Sequence, residues 1–135
     1  MSDSRSLAKV KWSGLIWAVG VYAVLTLLIT YPLAFRLSSV LAGIEGEDAL
    51  QHVWIAWWTQ EALLDLGLSP AEVTLLYHPD GVYHPMLWVT PYPQIAALPL
   101  SLLFGPVVGH NVHLLLSFPL TGLSAYLLIR YLTKD

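Results

Sequence analysis

Charge on this chain is confined to blocks, and the blocks leave two long stretches with none. Trp12 to Phe35 is a run of 24 residues without Asp, Glu, Lys or Arg, and Gly81 to Ile129 is a second run of 49. A helix crosses the hydrocarbon core of a bilayer with about 20 apolar residues. The first run is therefore long enough for one pass, and the second has room for two. Between them, Leu37 to Asp80 carries seven acids and no Lys or Arg. That segment belongs in water or at a membrane surface, and any chemistry is expected to start there.

Composition narrows the class further. Charged residues make up 11% of the 135 residues and hydrophobic ones 56%, where a soluble domain carries roughly 25% charged residues. A net charge of −3 and the lack of a basic stripe leave nothing to neutralise phosphates, so no nucleic-acid partner is expected. The chain has no cysteine, which excludes disulfides, thiolate metal sites and Cys nucleophiles.

Residues 1–11 are short and basic, with Arg5, Lys9 and Lys11, and are expected in the cytoplasm by the positive-inside rule. The run that follows exceeds the roughly 7–15 residues of a signal-peptide core, and no A-x-A site comes after it. Residues 12–35 thus read as an uncleaved transmembrane helix, weakened near its outer end by Pro32. Residues 36–86 read as an external loop. Within it, Asp48 to Leu66 has helical periodicity, with Gly67 and Pro70 ending it. Asp48, Gln51, His52 and Thr59 share one stripe, interrupted by Ile55, and Trp54, Trp57 and Trp58 share the opposite side. This predicts a membrane-parallel amphipathic helix with its tryptophans at the headgroups. Its lack of Lys and Arg implies that protein contacts hold it. Ser69, Pro70 and Glu72 predict a further helix start, and His78-Pro79-Asp80-Gly81 a turn.

Residues 87–104 form a second hydrophobic helix crowded by Pro91, Pro93 and Pro99. A tight connection at 105–110, a third helix at 111–132 and a tail at 133–135 complete the chain, with Pro119 and Gly122 allowing a kink. The expected fold is an all-α membrane protein of three hydrophobic helices, the second of them short or re-entrant. Three crossings would leave Arg130 and Lys134 outside, whereas a second segment that dips in and returns would leave them inside.

Glu47 and Asp48 stand where loop becomes helix. Two acids there can act as a general base or bind a cation, and Asp48 equally suits an N-cap. The histidines are His52, His78, His84, His110 and His113. His110 and His113 have helical spacing but no acid nearby, so no metal site is expected, and a divalent cation is not indicated. They read as interfacial residues at a helix start. His78 and His84 flank the turn, where they could meet a phosphate or a sugar hydroxyl. The aromatic set of Trp54, Trp57, Trp58, Tyr77, Tyr83 and Trp88 suits either sugar stacking or a membrane belt.

The order of short motifs carries a resemblance. TYPLAF closes the first helix, EGEDALQHVWIAWW and LLYHPDGVYHP follow, and PQIAALPLSLLFGPVVGHNVHLLLSFPLTGLSAYLLIRYLT completes the set. Over about Leu25 to Thr133 this resembles the N-terminal part of bacterial polytopic glycosyltransferases of the GT-C superfamily, especially YfhO-like and mannosyltransferase-like membrane proteins. The resemblance implies a polyprenyl-phosphate-linked sugar donor, transfer on the non-cytoplasmic face of the plasma membrane, and an essential acid in the first external loop. Carried over, Asp48 is the acceptor-activating base, with Glu47 second. His52, Trp54, Trp58, His78 and Arg36 are the candidate substrate-binding residues, although Arg36 equally suits a snorkelling anchor. The hairpin of second and third helices that the family shows favours three crossings here.

Such enzymes have many more helices than this chain. The chain therefore reads as a fragment, a truncated product or one piece of a split enzyme, and is not expected to be active alone. Its partners would be membrane lipid, the lipid-linked donor and further transmembrane helices. A small non-enzymatic membrane subunit is the rival reading. It would pack on larger partners through Gly14, Gly20, Gly122 and Ser124.

Overall fold

The computed structural model describes residues 12–43, 48–84 and 91–133. Four α-helices dominate it. They are α1 (Trp12–Ile29), α2 (Ala49–Gln60), α3 (Pro91–Phe104) and α4 (Pro106–Thr133). α1 and α4 are long and apolar enough to cross a membrane, and almost nothing of either is buried within the protein.

α1 gives way to a turn after Ile29. The Thr26 and Thr30 hydroxyls donate back to the carbonyls of Tyr22 and Thr26, both at 2.7 Å, which satisfies them without a ligand. Pro32 then leads into a 3-10 turn at Leu33–Phe35, with Leu33 buried.

α1 and α4 run antiparallel. A Cβ on Gly14 would meet the Tyr126 hydroxyl at 2.9 Å, and one on Gly122 would meet the Tyr22 ring at 2.7 Å. Farther along, Asn111 bonds to Leu37 and Val40. Rising numbers on the α1 side thus meet falling numbers on α4. First and third crossings of a three-pass protein must run parallel, so this antiparallel packing fits two crossings better than the expected three. The reason lies in α3. Its 14 residues span only about 21 Å at 1.5 Å per residue, short of a ~30 Å hydrocarbon core.

α3 returns directly into α4. Gly105 alone joins them at φ +91°, a conformation that favours glycine, and Pro106 opens α4 at the first helical position, where its missing N–H costs nothing. The expected 105–110 connection is therefore mostly helix. Gly109 lets the pair close up, since a Cβ there would stand 3.1 Å from the Ala97 carbonyl oxygen. α4 runs through Pro119 to Thr133.

Outside this hairpin, α2 continues into a π-helical turn at Glu61–Leu66, closed by Gly67 at φ +65°. The expected helix start at Ser69–Glu72 is instead a strand. β1 (Glu72–Val73) pairs antiparallel with β2 (Val82–Tyr83), Glu72 opposite Tyr83 and Val73 opposite Val82. The His78–Gly81 turn lies in the loop between them. This ribbon and the π turn close over Trp58, which is fully buried against Ala62 and Val73, with Trp54, Leu68 and Val82 around it. The Trp58 Nε1 donates to the Pro70 carbonyl at 3.0 Å. A Trp-centred core, and not a headgroup belt, is what this ring builds.

Candidate functional site

α2 lies across both helices of the α3–α4 hairpin. Its contact face is the stripe of His52, Ile55, Ala56 and Thr59, the last three buried. Of the polar stripe read from the sequence, Thr59 is buried while Asp48, Gln51 and His52 are exposed, His52 at the mouth of the gap between the helices. Small side chains at Ala56 and at Ala97 leave a cavity of 280 Å³ between the three helices. From α2 it is lined by His52, from α3 by Pro93 and Gln94, and from α4 by His110, His113 and Ser117.

Three of the five histidines of the chain thus converge from two elements 58 positions apart. The His52 and His110 rings stack at 6.2 Å between centroids and 18° between planes. His113, one turn further along α4, is held edge-on by Tyr92 at 5.8 Å and 66°. Gln94 is 5% exposed, and its Oε1 has no hydrogen-bond partner. The Ser117 hydroxyl donates to the Leu114 carbonyl at 2.7 Å, leaving its lone pairs to accept. Among the described residues no Asp, Glu, Lys or Arg lines the cavity.

Among the described residues no group of three or more His, Cys, Asp or Glu is placed to hold a metal ion.

Asp48 occupies the N-cap position of α2 and makes no side-chain capping bond. Its carbonyl accepts from the His52 N–H at 2.9 Å, so its exposed side chain sits one turn before His52. The capping role is thus left unused among the described residues. Glu47 and Trp88 lie outside the described residues. Trp54 stacks on Trp58 at 6.3 Å and 6°, and with Trp58 it serves the external core. His78 is exposed in the ribbon loop, and Arg36 borders a separate open groove with Tyr31, Pro32 and Phe35. Of the candidate catalytic and substrate-binding residues named from sequence, only His52 lines this cavity, joined there by the helical histidine pair His110 and His113.

Gln94, His110, His113 and Ser117 complete it. The i, i+3 spacing of His110 and His113 was one legible signal. The other was Gln94 itself, the one amide in an otherwise apolar α3. Asn111 is fully buried beside them and donates through Nδ2 to the Leu37 and Val40 carbonyls at 2.8 and 2.7 Å. It ties the chain leaving α1 to the first turns of α4. Compared with family models, with curated proteins and with solved structures, the chain gives no match.

Proposed function

We propose that this chain is the N-terminal membrane portion of a GT-C-like glycosyltransferase. It would work on the non-cytoplasmic face of a bacterial plasma membrane with a polyprenyl-phosphate-linked sugar donor. α1 and α4 cross in opposite directions, and α3 enters only the outer half and returns. Three observations support the membrane reading. The core helix of a soluble protein is mostly buried, yet almost nothing of the two long helices is. Ile16, Trp17, Val24, Leu28 and Ile29 on α1 would form a large apolar surface in water. The antiparallel pairing also puts the start of α1, which the basic stretch precedes in sequence, on the same side as Arg130 near the end of α4, in line with the positive-inside rule.

The catalytic reading is carried by one observation: an exposed carboxylate one helical turn before His52, which lines a largely apolar cavity between helices. Asp48 acts as the base that takes the acceptor hydroxyl's proton as the new glycosidic bond forms. The wall opposite supplies imidazoles and an amide to orient hydroxyls. The donor site is completed by helices beyond those described.

The subunit reading keeps one supporting observation. Gly14 and Gly122 are used inside the chain, but Gly20 has nothing within 4 Å of a Cβ and Ser124 is exposed.

The test is sugar transfer in membranes by the full operon product carrying Asp48→Asn. Removing a general base costs about 10²–10⁴-fold. Unchanged transfer at equal expression would remove Asp48 from the mechanism.

A further inference from the structure

The cavity itself carries chemistry that a base one turn before His52 does not use. We propose that it binds a phosphoryl group bearing one proton, a phosphomonoester or hydrogen phosphate, held by His52, His110 and His113. The inference stands independently of sugar transfer, and rests on the proposed membrane depth only for the source of the ligand.

Four observations converge on that class. First, among the described residues the lining holds three imidazoles and no carboxylate. A neutral imidazole offers one N–H and an imidazolium two. Protonation would put like charges 6.2 Å apart across the stacked pair of His52 and His110, an arrangement that an anion between the helices relieves. Second, the Gln94 Oε1, buried and without a partner, needs a donor. A phosphodiester has none to give, whereas a monoester with its second pKa near 6 still carries a P–OH in mildly acid solution. Oxygens toward the imidazoles and the P–OH toward Gln94 satisfy both walls at once. Third, a cavity of 280 Å³ admits a phosphoryl group with part of its ester. Fourth, the cavity lies beside Asn111, where the chain has just left α1. That is the depth of the outer headgroup layer if α1 and α4 cross.

The charged and titratable surroundings are few. On α2 the nearest is Asp48, one turn outside the lining. On α3 it is Tyr92, against His113, and this helix carries no charged residue. On α4 the only charged side chain besides the histidines is Arg130, some 17 positions after His113.

The test uses the whole chain. In detergent, inorganic phosphate is titrated by phosphorus NMR at about pH 8 and about pH 6, the range over which imidazole changes charge. In nanodiscs, phosphatidic acid is compared with phosphatidylglycerol, a monoester against a diester. Binding of the monoester or of phosphate should tighten by about tenfold for each charge-assisted hydrogen bond gained on acidification. Calorimetry in two buffers of different ionisation heat should show net proton uptake, which requires no variant. His110→Asn should cost about tenfold at the lower pH. Gln94→Met should bring the monoester down to the diester's affinity. Phosphate bound in detergent assigns a soluble source, and binding of phosphatidic acid alone assigns a lipid one; either supports the site. No binding of any probe at the lower pH, equal binding of monoester and diester, or binding without proton uptake overturns it.

Discussion

Trp58 decides whether the tryptophans of α2 are a core or a membrane belt. The ring is fully buried, packs on Ala62 and Val73, and donates from Nε1 to the Pro70 carbonyl. Replacing a fully buried Trp by Ala costs about 3–5 kcal/mol through lost packing and the cavity left behind. At about 1.4 kcal/mol per factor of ten, that is a loss of about two to three and a half orders of magnitude in local stability. Trp58→Phe keeps most of the ring but strands the Pro70 carbonyl, worth about 1–3 kcal/mol. Trp57, on the same helix but 36% exposed, provides the control. The assay is native-state amide exchange in detergent, read at the β1–β2 ribbon and the second half of α2. Trp58→Ala should lower protection there by about a hundredfold or more, Trp58→Phe by about tenfold or more, and Trp57→Ala by less than either. A headgroup belt predicts the reverse, with Trp57 and Trp58 alike and the ribbon amides unmoved. That result would refute the external core.

Two further outcomes follow from the helix pairing. Single cysteines introduced at positions 2 and 134 of this otherwise cysteine-free chain should label from the same side of the membrane; labelling from opposite sides would restore three crossings. Gly122→Val should push Tyr22 away and cost about 1–3 kcal/mol by overpacking, seen as a lower melting temperature in detergent. Gly20→Ala, with nothing within 4 Å, should be neutral or gain up to about 1 kcal/mol of helix propensity.

What could be read from the sequence was what is local to it. The two uncharged runs announced α1 and α4, because twenty apolar residues need no partner to define them. The start of α2 at Asp48 and the stop at Gly67 were also legible, since capping and left-handed glycine are rules of one turn. Three things were not. The pairing of Glu72–Val73 with Val82–Tyr83 is too short to have a period, and a Ser-Pro-x-Glu sequence there imitates a helix start. Periodicity put Trp58 on one face of α2 but could not say that a π turn and a ribbon would cover it. The meeting of His52 with His110 obeys no spacing rule, because it depends on α3 turning back at Gly105. The small residues had the right signal and an unexpected destination: Gly14 and Gly122 seat tyrosines of this same chain.

The first two turns of α4 emerge as the part on which the rest is assembled. Pro106 can open the helix only because Gly105 reverses the chain, and Gly109, one turn on, lets α3 lie against it. Asn111 then spends both N–H groups on the Leu37 and Val40 carbonyls, which fixes the exit from α1 to the same level. His110 and His113 point from these turns into the cavity, where α2 closes over them through His52. An amide at 111 with two carbonyls in reach is a costly thing to bury half-satisfied, and its Oδ1 has no partner. Leucine at that position would suit an apolar helix better if the helix only had to span. That a polar clamp stands there, beside two histidines and opposite Gln94, is the physical reason for treating this end of α4 as the working end of the chain.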